Sequence, residues 1–282
     1  MNIGTIIGFG VGLLVLIVSI LLAVKFQFAQ FLLFADLASL VIVLGMTIAA
    51  TFIAYPLEDV KNVIDAFKRA FAEDESAVEQ YITEMATISM AYARGGTSRL
   101  SAMAEEYTEN HFIKDGLKMV EDRYTETDIR SIMTAQIRNE QQRLLGQVKI
   151  IQNMSSNAPA FGVLGTLIGL VVMMSGLDPS DTEKLMQGLG GGMATALLTT
   201  FYGVFFSNFF FSPIATKVEK SIEDQVIVMN VIMQGALLIM KKTPENMVRD
   251  KLKVYLPIQW ASISAGDSSD QTETPPEATQ EA

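Results

Sequence analysis

The chain has 282 residues, half of them hydrophobic, with no cysteine, one histidine and 31 acids against 21 bases. Those numbers exclude disulfides, a cysteine nucleophile and Cys- or His-rich metal sites. His111 is the single histidine a catalytic triad could use, and in the polar string Glu109-Asn110-His111 it reads as a solvent-facing residue near a helix start, so neither an enzyme nor a cofactor is expected. The net charge of −10 is acidic throughout and does not suit nucleic acid.

In chain order, Ile3 to Val24 is an uncharged run, and Phe26 to Leu57 carries one charge, Asp36. Ile150 to Leu177 and Leu185 to Thr216 are uncharged as well. A bilayer core about 30 Å thick needs roughly 20 helical residues, so these runs are read as spans 1 to 4. Span 1 lacks a basic leader and a small-x-small cleavage site, which favours a retained span over a signal peptide. The stretch Val226 to Met240 is too short to cross and contains Asn230 and Gln234, so it is expected as a buried or amphipathic helix beside the membrane.

Between spans 2 and 3 the pattern is helical. Val60, Val63, Ile64, Phe67 and Phe71 form one stripe; Ser76-x-x-Glu79 is a capping box followed by Ile82, Met85 and Ser89. Arg94-Gly95-Gly96 is a turn after which Thr97 can cap a helix, and Thr127-Asp128 opens another with Ile129, Ile132, Met133 and Ile137 on one face. No residue before Pro159 is strong enough to stop that last helix, which is expected to run on into span 3. The expected architecture is therefore all-α: a transmembrane hairpin (1–55), a cytoplasmic helical domain (56–150), spans 3 and 4 (151–213), cytoplasmic helices (214–258) and an acidic, Ser/Thr/Pro-rich disordered tail (259–282). The short loops hold two bases, Lys25 and Lys184, and the remaining nineteen lie on the other side; positive-inside logic puts the long segment and both termini in the cytoplasm of a multi-pass inner-membrane protein.

Polar and small residues inside spans carry the functional signal, because polar groups there are costly. On span 3, Gly162, Gly165 and Gly169 clear one face for a neighbouring helix, and Pro159 breaks the backbone ladder. On span 4, Thr195, Thr199 and Tyr202 share a face at i, i+4 and i+7, where their hydroxyls could replace water around a small cation or, alternatively, bond back to their own helix. No carboxylate sits at mid-span, Asp36 lying at the outer end of span 2, so an ion path would need its carboxylate from a partner. The cluster Gly188-x-Gly190-Gly191-Gly192 lacks the Lys-Ser/Thr of a phosphate loop and is read as a helix entry.

Ala158-Pro159-Ala160-Phe161-Gly162 through Gly165-Thr166-Leu167-Ile168-Gly169-Leu170, and Ala196-Leu197-Leu198-Thr199-Thr200-Phe201-Tyr202-Gly203 through Ser207-Asn208 and Pro213, resemble spans 3 and 4 of the MotA/PomA flagellar stator subunits. Asp36-x-x-Ser39 with Gly45 in span 2, and Thr243-Pro244-Glu245-Asn246 before Leu252 and Leu256-Pro257, extend the resemblance over nearly the whole chain. It implies a torque generator: a homo-pentamer around a single-span MotB/PomB partner that supplies the ion-carrying Asp and anchors to peptidoglycan, pushing on the rotor protein FliG. It also implies an ion pathway through Thr166, Thr195, Thr199, Thr200, Tyr202 and Asp36, with Na⁺ favoured over H⁺ because sodium-type members carry Thr at the positions of Thr166 and Thr199-Thr200. Pro159 and Pro213 would couple ion occupancy to movement. Arg94 matches the family's rotor-facing Arg, but Ala102 stands where the nearest acid is expected, the acids come later at Glu105 and Glu106, and Arg99 is an added base. The alternatives are an ExbB/TolQ-type energiser, usually with three spans, a self-contained channel or transporter, and a membrane scaffold.

Overall fold

The computed structural model describes residues 3–71, 77–106, 110–176 and 182–256, so Ser76 of the capping box, Asp178 of the second short loop and the chain from Pro257 lie outside the described residues. Among the described residues every regular element is helical. Four helices are long and apolar enough to cross a membrane: Gly4–Ala23, Leu32–Ala54, Glu126–Ser175 and Gly188–Met240. Glu126–Ser175 is 50 residues long and passes through Pro159 without ending, as the lack of an earlier stop signal implies. It starts one residue before Thr127, and Thr125 supplies the cap: its hydroxyl accepts from the Asp128 N–H at 3.2 Å.

The chain forms two compact units: Met1–Asp74 with Glu140–Glu223, and Glu75–Asn139 with Asp224–Ala282. Both boundaries near 139/140 and 223/224 fall inside helices, so the expected segments 56–150 and 214–258 are each divided between the units.

In the first unit, span 2 is not one regular helix. A 3-10 turn, Leu32–Phe34, precedes Asp36, whose carboxylate accepts from the Ser39 N–H at 2.9 Å and opens the short helix Leu37–Leu40. A π-turn, Val41–Gly45, then leads into Met46–Ala54. The widened turn loosens the carbonyl ladder, and Thr47 Oγ1 donates to Val43 O at 2.6 Å while Thr51 Oγ1 donates to Thr47 O at 2.8 Å. Tyr55 is extended (φ −131°, ψ 148°), the conformation a following proline imposes, and ends the helix.

Helix Leu57–Phe71 buries Val63, Ala66 and Ala70, with Phe67 and Phe71 half-buried; Ile64, expected on that stripe, is 60% exposed. Small alanines let this face approach closely, which swings Ile64 to the rim. The Phe67 ring stacks on Phe210 at 6.0 Å, and Phe9 of span 1 lies 5.9 Å from Phe71 and 5.4 Å from Phe209. These ring contacts tie span 1, the first polar helix and span 4 together.

The second unit has a conventional apolar core. Helix Ala77–Glu106 is broken at Gly96 (φ 63°, ψ −155°), a backbone that only glycine adopts freely and that realises the Arg94-Gly95-Gly96 turn. Helix His111–Glu121 is capped by Asn110, whose side chain accepts from the Ile113 N–H at 3.3 Å. Ile82, Met85, Ile129, Met133 and Ile137 are buried, whereas Ile132 of the expected stripe is 39% exposed. Val226–Met240 proves to be the C-terminal part of Ser212–Met240, with Met229, Val231, Ile232, Met233, Ala236, Leu237 and Ile239 in this core, so of the two expectations the buried one holds. Buried Ser89 Oγ donates to Thr243 O at 2.7 Å, which pins the turn before Glu245–Leu252. Ile232→Ala is expected to destabilise this unit by about 2–5 kcal/mol, through lost burial plus a cavity; faster amide hydrogen exchange across Ala77–Glu106 would register it, and unchanged protection would refute it.

Candidate functional site at the span 3 and span 4 hairpin

Spans 3 and 4 meet backbone to backbone. A Cβ built on Gly162 would lie 2.9 Å from Thr199 O, one on Gly165 2.5 Å from Thr199 Cβ, and one on Gly169 2.7 Å from Ala196 N and Gly192 O. From the other side, a Cβ on Gly192 would meet Met173 Cβ at 2.4 Å, and one on Gly203 would meet Ala158 O at 2.7 Å. The seam thus runs through Gly162, Gly165 and Gly169 on one helix and Gly192, Ala196, Thr199 and Gly203 on the other. Without a hydrophobic drive between helices in lipid, close van der Waals packing of this kind holds spans together.

The hydroxyl stripe divides into three places. Thr199 is fully buried in the seam, its Oγ1 donating to Thr195 O and Ala196 O, each at 3.0 Å. Thr200 Oγ1 donates to Ala196 O at 3.4 Å, and Thr166 Oγ1 to Val163 O at 2.6 Å, both residues being partly exposed. These three threonines therefore bond back to their own helices within the subunit. Tyr202 is nearly buried and turns toward span 2: its phenol donates to Phe34 O and accepts from the Asp36 N–H at 3.2 Å. Ser39, whose hydroxyl donates to the Asp36 carboxylate, lies 3.4 Å from Thr195 O. Asp36, Ser39, Thr195 and Tyr202 are thus brought together, and the phenol satisfies backbone groups that the break in span 2 leaves open. Tyr202→Phe is expected to cost about 1–3 kcal/mol by stranding them; a lower thermal midpoint of the purified protein would show it, and an unchanged midpoint would contradict this bonding.

The two prolines flank a polar contact that sequence reasoning missed. Ser155 Oγ lies 3.1 Å from both Ser207 O and Ser207 Oγ. Pro159 provides no N–H for the Ser155 carbonyl one turn back. Ser207 lies in a π-turn, Phe206–Phe211, where the Ser212 N–H reaches Ser207 O, five residues back. Pro213 follows immediately, and its ring would collide with the carbonyl four residues earlier in a regular helix; the widened turn relieves that clash, and the helix continues as Ser212–Met240. The signal available in the sequence was the pairing of Ser207-Asn208 with a proline in mid-helix.

The charges expected to face a rotor lie elsewhere, on helix Ala77–Glu106. Arg94, Arg99 and Glu105 are exposed, while the Glu106 side chain falls outside the described residues. Arg94, Arg99 and Ala102 line an open cleft of about 490 Å³ at the Gly96 break, and no ion pair joins either arginine to Glu105 among the described residues.

The profile of the MotA/TolQ/ExbB proton channel family matches residues 104–231. The uncharacterized protein YtxD of Bacillus subtilis is 31% identical over 242 residues, covering 86% of this chain and 86% of its own. The chain belongs to the MotA/TolQ/ExbB family. Within it the resemblance is to the MotA side: Motility protein A of Aquifex aeolicus is 29% identical over 92% of this chain and 98% of its own length. The flagellar MotAB stator complex of Bacillus subtilis contains a chain of similar fold, at a TM-score of 0.76 and 26% identity over 90% of this chain and 98% of that one. As a member of a channel family whose MotA branch it resembles, the chain is a multi-pass membrane protein and not an enzyme.

Proposed function

We propose that the chain is a stator subunit of a bacterial flagellar motor, set in the inner membrane as a homo-pentamer around a MotB-type partner, and that it converts ion flow into torque on a rotor protein of the FliG type. The observation that carries this reading is the seam of spans 3 and 4, where Gly162, Gly165 and Gly169 bring two helices to backbone contact beside partly exposed Thr166 and Thr200. Such a hairpin offers neutral oxygens to a passing cation but no mid-span acid, so the titrating or ion-carrying carboxylate comes from the partner. The MotAB complex supplies the precedent for a partner chain.

Each elementary charge crossing about 100 mV releases about 2.3 kcal/mol, enough to drive a small rearrangement at Pro159 and Pro213. Both termini and the second unit face the cytoplasm, in line with the base asymmetry, so Arg94, Arg99, Glu105 and Glu106 are the rotor-facing charges. Na⁺ is the favoured coupling ion, because hydroxyl oxygens suit a hard cation. Swimming speed in cells with this chain and its partner as sole stator, measured while Na⁺ is titrated at fixed proton-motive force, tests the reading. Speed is expected to rise with Na⁺ and to vanish without it; speed indifferent to Na⁺ but lost with a protonophore would assign H⁺, and no rotation in either case would favour an ExbB/TolQ-type energiser.

A further inference from the structure

A cavity of about 280 Å³ lies in the first unit between the start of span 1 and the end of span 4, away from the glycine seam. Thr5, Gly8 and Phe9 line it from span 1, Ala70 from Leu57–Phe71, and Phe209, Pro213, Ile214 and Lys217 from the span 4 helix. Its walls are apolar except at one end, where Lys217 and Thr5 stand together and the ammonium donates to the Thr5 hydroxyl. Lys217 is half-buried and has no carboxylate within ion-pair distance among the described residues. An ammonium carries three donors, so two remain after Thr5 is served. A half-buried cation without a counter-charge, at the end of a transmembrane helix and over an apolar hollow, matches the basic pockets between spans that hold anionic lipid head groups.

We propose that this cavity binds an anionic phospholipid, with its phosphate on Lys217 and part of one acyl chain lodged against Phe9, Phe209 and Pro213. The volume is too small for a whole lipid and enough for a segment of one chain, just below the range of ordinary ligand pockets. The occupant packs directly on Pro213 and on the π-turn residue Phe209, so lipid composition bears on the bend of span 4. This inference stands whether or not the chain is a motor subunit. A free anion such as inorganic phosphate would share the Lys217 contact but leave the hollow empty, and that difference makes the two separable.

Native mass spectrometry of the full-length protein, purified with its partner and equilibrated with vesicles of phosphatidylcholine and phosphatidylglycerol in equal parts, counts the lipids retained per chain. Retention of phosphatidylglycerol in preference to phosphatidylcholine is expected, with apparent affinity falling about fivefold in Lys217→Gln. Gly8→Leu is expected to abolish retention by filling the hollow; a Cβ at Gly8 meets nothing within 4 Å, so the side chain has room and the fold is kept. Lys149→Gln, which removes an exposed base in the same unit, is expected to leave retention unchanged. The proposal is overturned if the wild type retains no anionic lipid, if Gly8→Leu retains as much as wild type, if Lys149→Gln loses as much as Lys217→Gln, or if inorganic phosphate displaces the lipid.

Discussion

Gly165→Leu is expected to abolish rotation and to prevent recovery of the assembled complex, while the second unit keeps its amide protection. The Cβ alone would sit 2.5 Å from both Cβ and Cγ2 of Thr199, and the leucine adds three further carbons. Thr199 cannot swing aside: it is β-branched, fully buried, and its hydroxyl is held by two carbonyls of its own helix. Overpacking of this kind costs about 1–3 kcal/mol where neighbours can yield and more where they cannot. Here relief requires spans 3 and 4 to part, which gives up the backbone contact at Gly162 and Gly169 as well. Gly190→Ala is the control, since its Cβ meets nothing within 4 Å, and it should swim at wild-type speed. Wild-type assembly of Gly165→Leu would mean that the seam does not hold the hairpin.

Thr166→Ala is expected to raise the Na⁺ concentration for half-maximal speed about tenfold, the loss of one charge-assisted oxygen contact, whereas Thr199→Val should leave it within about twofold. The asymmetry follows from placement. Thr166 is partly exposed and can turn its hydroxyl from Val163 O toward an ion, but Thr199 lies in the seam with no solvent access. Valine keeps the shape of Thr199 and removes only the hydroxyl. If Thr199→Val shifts the Na⁺ dependence more than Thr166→Ala, the path runs through the seam itself and the hairpin opens during ion passage.

The four spans were legible because a run of about twenty uncharged residues has few other uses, and the seam because glycines recur at helical spacing on span 3. The partners of the hydroxyls were not. Thr195, Thr199 and Tyr202 share a face by spacing, yet the phenol serves span 2 and Thr199 serves its own helix, a choice made by what packs opposite. The two π-turns left no periodic trace, since each is a local answer to a single clash or a loosened ladder. The division into two units was also hidden. It depends on Val226–Met240 packing with Ile82, Met85 and Met133, residues about a hundred or more positions away, which no local pattern encodes. Ile64 and Ile132 show the same limit on a smaller scale: periodicity names a stripe, and the neighbour's shape decides its edge.

The π-turn at Phe206–Phe211 is, in effect, one inserted residue, and it sets the phase of everything after it. Each residue advances a helix by about 100°, so span 4 before the turn and the stripe after it are angularly offset by that step. Ile214, Ala215, Val218 and Ile222 are buried only because the offset is present. Deleting any single residue from the turn would restore a regular helix and rotate this stripe out of its contacts, so the segment tolerates substitution far better than a change in length.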